Sequence, residues 1–330
     1  MLLLRVALAS AALWALWQRL DGVTLAGLAV QLRSLGWPRL AVALAATIVS
    51  FLLMGLIEVL ALRHCDDPAA ADVPASTAMT TAFVANAMSQ SIGLSLLTGA
   101  AVRARAYGAR GLDSLAIAQA TAFVTITATL GLLAAGAVAM LASTSAIARG
   151  GIPMAVRPTA FLLIALVSAY VAWSFLGHRD GIGRGRWRIA RPSPRLAVTQ
   201  LALSTVDWLV TGAVLYACLP PDLGYPLGVA LGTYMIAQTA GVTSHVPAGA
   251  GIFELVVIAL LAHGAPPASR AGVVAALVTF RLMYYVLPLV AALVVAALAE
   301  ISRRRARITG RALPASPVST RGIAAVQHAG

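Results

Sequence analysis

Charged residues are scarce in this chain, and lysine is missing altogether. Only 11% of the 330 residues are charged, all 24 basic residues are arginine, and 60% of the residues are hydrophobic. With a mean hydropathy of +0.88, this composition excludes an ordinary soluble domain. It predicts an all-α, polytopic integral membrane helical bundle.

Cysteines and catalytic motifs are equally sparse. Cys65 and Cys218 have no partner motif, so the sequence indicates neither a disulfide nor a metal site. No Walker loop, nucleophile elbow or zinc-ligand spacing occurs. We therefore expect no cofactor, no metal and no ATP site, and any transport would be downhill or ion-coupled.

Long apolar stretches divide the chain into membrane segments, since a spanning helix needs about 20 mostly apolar residues. The first stretch differs from a signal peptide because Trp14, Trp17 and Arg19 replace the expected small-residue cleavage site. Residues 21–37 have the apolar spacing of a short helix on the bilayer surface, with a plain polar loop as the alternative. The stretches are residues 2–17, 38–62, 76–100, 114–142, 158–177, 196–218, 226–263 and 272–299.

The excess of arginine lies in loops and tails. A net charge of +13 is compatible with nucleic-acid binding, but residues 179–195 and 303–311 carry most of the excess. Basic loops of this kind stay cytoplasmic and set membrane orientation. We therefore expect no nucleic-acid partner and a cytoplasmic C-terminus. Residues 301–330 are predicted to form a basic disordered tail.

Segment 226–263 is interrupted at its centre. Pro247 has no amide hydrogen, and Gly249 and Gly251 permit backbone angles that other residues resist. A helix should therefore stop near His245 and another should start near Gly251. Unpaired backbone at membrane depth is tolerated only inside protein or beside water. Transporters commonly bind their substrates at such breaks.

The arginine distribution constrains this broken segment. If both basic regions are cytoplasmic, it begins and ends on the same side of the membrane, so it is re-entrant or crosses twice. Residues 83–103 form a matching element with polar residues and two glycines. We predict two inverted halves, 1–150 and 151–300, each with a broken or re-entrant helix. A straight crossing at 76–100 is the alternative.

Four ordered motifs resemble the transmembrane flippase region of the lysylphosphatidylglycerol synthases and its stand-alone flippase-like relatives. The likeness covers most of residues 1–300, which we interpret as one flippase-like transmembrane domain. The motifs are 91–107 with 111–118, an Asp-Trp helix at 204–210, a Pro-Gly-Gly-x-Gly-x-x-Glu signature at 241–254 with Ala248 in place of its first Gly, and a Tyr-Arg-x-x-Tyr-Tyr-x-x-Pro helix at 280–288.

This resemblance implies a bacterial inner-membrane protein that moves phospholipid, such as anionic or aminoacylated phosphatidylglycerol, between leaflets. Full-length members continue into a soluble synthase domain, whereas a short tail follows residue 300 here, so we expect no enzyme activity and a possible separate lipid synthase as partner. One alternative is a non-transporting membrane subunit that supports a lipid-modifying enzyme. Another is a secondary transporter of a small polar solute. The oligomeric state stays open.

Ionisable residues inside apolar stretches are the candidate headgroup-binding residues. Each costs at least about 2.5 kcal/mol at a helix centre, so it should face a cavity or a partner. We hypothesise that Arg103 or Arg281 binds the lipid phosphate through its planar fork, with Asp207 and Glu254 balancing the charge or meeting a cationic headgroup. Two acids and two bases suggest pairing across the halves. The alternative roles are structural salt bridges and, for Asp207, a helix cap.

Uncharged polar residues complete the predicted site. They line a cavity or form hydrogen bonds between helices. His245 could titrate near neutral pH and gate the site, but we favour the alternative of a hydrogen-bonded residue beside the helix break. Glu58, near the end of its helix, is expected to reach the interface. The predicted cavity residues are Asn86, Ser89, Gln90, Gln238, Ser244 and His245, and the predicted helix-break residues are Gly93, Gly99, Pro247, Gly249 and Gly251.

Overall fold

The computed structural model describes residues 25–65, 67–92, 95–142, 156–176, 181–182, 189–244, 246, 249 and 251–308. Regular structure in these residues is helical, apart from an antiparallel pairing of β1 (Gly181–Ile182) with β2 (Ile189–Ala190). The helices are α1 (Leu25–Arg63), α2 (Pro68–Ala71), α3 (Ala75–Ile92), α4 (Ser95–Gly108), α5 (Ser114–Ala142), α6 (Val156–Leu176), α7 (Pro194–Cys218), α8 (Leu227–Thr243), α9 (Ile252–Leu261), α10 (Pro267–Arg281) and α11 (Leu287–Ile308), with a 3-10 turn at Pro221–Leu223 and a π-helix at Leu282–Val286.

Within the described chain, five helical stretches are long and apolar enough to cross a membrane. They are α1 from Leu35, α5, α6, α7, and the continuous helix formed by α10, the π-helix and α11. Their outer faces expose large apolar side chains such as Val42, Leu52, Phe161 and Val290. A surface of this kind is stable against lipid but not in water. The prediction of an all-α polytopic membrane bundle is confirmed, while the expected span at 2–17 lies outside the described residues.

Helix α1 has a break that the sequence encodes locally. Gly36 adopts a φ of 71°, and Pro38 follows it. Glycine tolerates this left-handed angle, so the helix breaks at Gly36, and Pro38 is tolerated in the first turn of the helix that follows. The segment predicted as a short helix at 21–37 is therefore helical from Leu25 to the kink. Its placement on the bilayer surface stays a prediction.

Each broken segment folds back on itself as a helical hairpin. In the first, α3 and α4 pack together, and Arg110 Nη2, just after α4, donates to Thr77 Oγ1 at the start of α3 at 2.9 Å. In the second, α8 and α9 pack together, and the Tyr225 hydroxyl before α8 donates to the carbonyl of Leu261 at the end of α9. Both segments therefore begin and end on the same side of the bundle.

The two hairpins open toward opposite ends of the bundle. From its kink to Arg63, α1 rises about 40 Å, so it defines two ends. Arg103 of α4 bonds Glu58 near the Arg63 end. Arg39, near the kink, donates to the Leu219 carbonyl, close to the opening of the second hairpin. Opposite openings are what inverted halves require, and the internal repeat itself stays a prediction.

The C-terminal helix returns to the Arg63 end. Arg105 Nη2 of α4 and Glu300 Oε2 of α11 form an exposed ion pair at 2.6 Å. Helix α11 continues to Ile308, past the expected boundary at residue 300, and residues 309–330 lie outside the described range. Three features therefore mark one charged end of the bundle: Arg63, the opening of the first hairpin and the Arg105–Glu300 pair.

Candidate functional site

An ion pair between Arg281 and Glu254 lies near the middle of the bundle. Arg281 Nε donates to Glu254 Oε1 at 2.8 Å, and Nη2 donates to the same oxygen. Arg281 lies well inside the 36-residue spanning stretch Pro267–Ser302. Glu254 lies in the first turn of α9, at the opposite end of this helix from the hairpin opening at Leu261. The structure thus unites two of the predicted headgroup-binding residues at mid-depth.

The local sequence around Glu254 fixes its carboxylate. Gly251 has a φ of 81°, which favours glycine, and it forms the N-cap of α9. Glu254 Oε2 accepts a hydrogen bond from the Gly251 amide at 2.8 Å, as in a capping box. One carboxylate oxygen therefore accepts the hydrogen bond of an amide at the start of α9, and the other oxygen accepts the bonds from Arg281. The carboxylate also complements the positive end of the helix dipole.

Aromatic rings surround the Arg281 guanidinium. Its Cζ lies 4.4 Å from the centre of the Tyr285 ring and 5.5 Å from that of Phe253. Cation–π contacts of this kind offset part of the cost of removing a charge from water. Phe280 stacks on Phe253 and on Tyr284, which extends the aromatic wall toward α7. The Arg281 side chain still keeps 23% of its surface exposed.

Arg103 forms a second ion pair that is closed to solvent. Its Nε and Nη2 donate to the carboxylate of Glu58 at 2.8 and 2.7 Å. The Tyr107 hydroxyl donates to Glu58 Oε1 at 2.8 Å. The two charged side chains expose only 6% and 0% of their surface. The expectation that Glu58 reaches the interface is wrong, because Arg103 and Tyr107 from the next hairpin cover it.

Pairing in both cases occurs within a half of the chain and not across the halves. Glu58 and Arg103 belong to the first half, and Glu254 and Arg281 to the second. The hypothesis of cross-half pairing did not count Glu58 as a partner, since its position near a helix end indicated a surface residue. Sequence reasoning also missed Tyr107, although it lies one helical turn after Arg103 and so shares its face.

Asp207 lies apart from both ion pairs, among hydroxyl groups. Ser50 Oγ of α1 donates to Asp207 Oδ1 at 2.6 Å. Ser50 Oγ also lies 2.9 Å from the Tyr284 hydroxyl and 3.2 Å from Thr211 Oγ1. Asp207 is in the interior of the unbroken helix α7, so the helix-cap alternative is wrong. Ser50 and Thr211 were not predicted; a serine and a threonine in apolar helices were the signal for them.

The predicted cavity residues have mixed environments. Asn86 Nδ2 donates to the Ala82 carbonyl at 2.8 Å, and Gln90 Nε2 approaches Met54 Sδ at 3.7 Å. Ser89 is buried, and Gln238 is half-buried. Ser244 Oγ donates to the Gly241 carbonyl at 2.7 Å and so closes the end of α8. The bonds of Asn86 and Ser244 go to carbonyls of their own helices, so they support neither of the two predicted roles, and cavity lining stays a prediction.

The predicted helix breaks occur close to the expected positions. Helix α3 ends at Ile92 and α4 starts at Ser95, whereas Gly93 lies outside the described residues, as do His245 and Pro247. Gly249 has a φ of 61° between α8 and α9. Gly99 lies inside α4 and breaks nothing. A Cβ there would come within 2.8 Å of Ser89 Oγ, so Gly99 serves close packing of the hairpin.

A cavity of about 220 Å³ lies at the end opposite the charged end. Its lining includes Arg39, Tyr216 and Tyr225. The Arg39 guanidinium lies 5.7 Å from the centre of the Tyr216 ring. Burial raises the pKa of the Tyr225 hydroxyl. Within the described ranges, no group of three or more His, Cys, Asp or Glu side chains is arranged to hold a metal ion.

Comparisons with known proteins include two relatives that match this chain over most of their length. The chain is 31% identical over 254 residues to the uncharacterized protein slr0712 of Synechocystis sp., covering 76% of each chain. It is 27% identical over 273 residues to the inner membrane protein YbhN of Escherichia coli, covering 82% of this chain and 83% of that one. No family model matches the chain.

A third relative is much longer than this chain. Phosphatidylglycerol lysyltransferase of Staphylococcus haemolyticus is 24% identical over 224 residues, which cover 68% of this chain but only 25% of that protein. The five apolar helices and the YbhN match make this chain a multi-pass inner-membrane protein. It therefore belongs to the family that includes slr0712 and YbhN, and it is related to part of the phosphatidylglycerol lysyltransferases.

Proposed function

We propose that this chain moves phospholipid headgroups between the leaflets of the inner membrane, with the pair of Arg281 and Glu254 as the headgroup contact. One observation carries the proposal: a partly exposed ion pair lies at mid-depth in a membrane bundle, at the tip of a helical hairpin. Ionisable groups at this depth are costly, and they commonly mark substrate pathways. Broken helices near the midplane are typical transporter binding sites.

Arg281 has more hydrogen-bonding capacity than Glu254 uses. The two bonds to Glu254 engage Nε and Nη2, whereas a guanidinium carries five N–H donors in a planar fork. This fork matches phosphate in a bidentate manner. A lipid phosphate can therefore bind Arg281 beside the carboxylate or replace it. Glu254 would then hold the ammonium group of an aminoacylated headgroup.

Arg103 receives a different role in this proposal. Its pair with Glu58 is almost fully enclosed, and Tyr107 occupies a further position on the same carboxylate. A lipid phosphate that bound Arg103 would leave the buried Glu58 carboxylate without its counter-charge, which is strongly unfavourable. We therefore assign Arg103 and Glu58 to holding α1 against the first hairpin. Of the two predicted phosphate-binding arginines, Arg281 is the one supported by exposure.

The relatives support lipid as the substrate class. One of them is named for lysyl transfer to phosphatidylglycerol, and this chain aligns with a quarter of its length. We propose anionic phosphatidylglycerol or its aminoacylated form as the cargo. We also propose that the charged end near Arg63 and Glu300 faces the cytoplasm, because basic segments remain on that side.

Headgroup movement in proteoliposomes tests the proposal. Purified protein would be reconstituted with fluorescent phosphatidylglycerol or its lysyl form, and the accessible fraction followed after adding an impermeant quencher. We expect the wild type to move one of these lipids. Both R281A and E254Q should slow this movement by about 10- to 100-fold, since a hydrogen bond to a charged group contributes about 1.5–3 kcal/mol.

The exposed pair of Arg105 and Glu300 provides a matched control. R105A removes an arginine from an ion pair whose arginine side chain is 69% exposed, so it should leave the rate unchanged. Folding of each variant would be checked by its elution profile and unfolding midpoint in detergent. Unchanged movement in folded R281A would contradict the assignment of the site. No movement of either lipid by folded wild type would contradict the proposed function.

A further inference from the structure

Asp207 is a buried acid whose described contacts are hydroxyl groups. It exposes 6% of its surface and accepts a hydrogen bond from Ser50 at 2.6 Å. Ser50 is 0% exposed and also contacts the hydroxyls of Tyr284 and Thr211. Thr211 Oγ1 lies 3.0 Å from the Tyr284 hydroxyl. Three elements therefore meet at this carboxylate: α1, α7 and the π-helix.

The hydroxyl network can satisfy either protonation state of Asp207. A serine hydroxyl has one hydrogen and can accept two bonds. When Ser50 donates to the ionised carboxylate, the hydroxyl of Tyr284 or of Thr211 can donate to Ser50. When Asp207 is protonated, its own O–H can donate to Ser50, and Ser50 can then donate to Tyr284. Reversal of the two hydroxyl hydrogens thus accommodates a proton without moving a heavy atom.

The described charges around Asp207 do not neutralise it. Helix α5 contains no ionisable residue, and Tyr170 of α6 bonds Gln200, two helical turns away on α7. Tyr284 of the π-helix belongs to the hydroxyl network, and Tyr234 of α8 packs against Phe253 and Phe280; both tyrosines carry no charge in their usual state. Helix α1 holds Glu58, which is paired with Arg103.

The remaining ionisable groups of these elements lie elsewhere. Arg281 of α10 is paired with Glu254, and Tyr285 packs against that guanidinium. The other described arginines of the packed helices lie away from Asp207, near the helix ends (Arg33, Arg39, Arg63, Arg157, Arg195 and Arg270). Salt-bridging contacts of the described residues do not include Asp207. No described positive charge therefore holds this carboxylate in its ionised form, and carboxylates inside membrane helices commonly form proton relays.

We propose that Asp207 is a proton-binding site, and that its protonation couples the transmembrane proton gradient to headgroup movement at Arg281. The coupling part of the proposal rests on the proposed function. Tyr284, the end of the hydroxyl network, lies in the π-helix that starts directly after Arg281. Single π-turns inside helices frequently occur at functional sites. The Tyr284 side chain therefore joins the proton site to the helical turn next to the headgroup contact.

Infrared pH titration tests the proton site without transport. Purified wild type and D207N would be compared for the carbonyl band of a protonated carboxyl group. We expect a band that appears on acidification in wild type, is absent from D207N and is retained in E254Q. S50A keeps the carboxyl group but removes its hydrogen-bond donor, so it should shift the titration midpoint. If the difference between the infrared spectra of the wild type and D207N does not change with pH, the proton site is overturned.

Lipid distribution in proteoliposomes tests the coupling. A gradient of about one pH unit, with trace fluorescent phosphatidylglycerol, should let wild type build a leaflet ratio of about tenfold if one proton moves with each lipid. D207N should move lipid but bring the two leaflets to equal amounts. Equal leaflets in an active wild type would overturn the coupling. If the proposed function is wrong, the wild type will move no lipid at all. If it moves no lipid but shows the infrared band, the coupling is overturned and the proton site is supported.

Discussion

E58Q is expected to lower the free energy of unfolding by about 3–5 kcal/mol, because it leaves the buried Arg103 guanidinium without a counter-charge. Glu58 is 0% exposed and accepts hydrogen bonds from Arg103 and Tyr107, so the variant cannot recruit water in its place. The change would be measured as a decrease in the thermal unfolding midpoint in detergent. R103M should destabilise the protein to a similar extent, since it leaves the buried Glu58 carboxylate without its counter-charge.

The double variant separates charge pairing from packing. E58Q with R103M removes both charges, and the amide oxygen introduced by E58Q can still accept from Tyr107. Replacement of a buried pair by neutral groups of similar volume is often close to neutral. We therefore expect the double variant to be more stable than either single one, and R105A at the surface to leave the midpoint unchanged. If the losses simply added, the pair would not be an energetic unit.

The second large effect is expected at Gly131 of α5, which packs directly against Ser204 of α7. A Cβ on Gly131 would lie 2.5 Å from Ser204 Cβ and Oγ and 2.5 Å from its carbonyl carbon. G131A must therefore push the two helices apart, and overpacking of this kind costs about 1–3 kcal/mol. The separation would also disturb the bond from Trp208 Nε1 to the Ala128 carbonyl, now 2.8 Å long. Unfolding midpoint and Trp fluorescence would both report it.

Two variants make this prediction specific. G228A changes an exposed helical glycine with no atom within 4 Å of the added Cβ, so its midpoint should stay the same or rise. S204G in the G131A background removes two of the clashing atoms but leaves the backbone carbon in place. It should therefore restore only part of the lost stability. Equal stability of G131A and wild type would show that the helices tolerate separation.

The two arginine pairs differ in their depth within the bundle and in their exposure. Both consist of a guanidinium and a carboxylate at hydrogen-bonding distance. Arg103 and Glu58 lie near one end of α1 and are closed, whereas Arg281 and Glu254 lie at mid-depth with part of the arginine exposed. E58Q should therefore act mainly on stability, and E254Q mainly on lipid movement. Measuring both properties for both variants would show whether this division holds.

The sequence alone determined the class of the protein and the approximate position of the break before Gly251. Apolar stretches and scarce charge predict membrane helices because transfer into lipid depends on composition along a single helix. The break before Gly251 was predictable because glycine and proline act on their immediate neighbours. Even the same-side placement of both ends of 226–263 followed from the distribution of arginines, and the Tyr225–Leu261 contact agrees with it.

Only the tertiary structure decided which charged residues meet. Glu58 and Arg103 are 45 residues apart, and Ser50 and Asp207 are 157 apart. Such partners depend on how helices from distant parts of the chain rotate and pack, and hydropathy does not encode that rotation. The sequence therefore identified Arg103, Asp207, Glu254 and Arg281 as unusual residues. The packing gave each its partner: one closed ion pair, one partly exposed ion pair and one acid among hydroxyl groups.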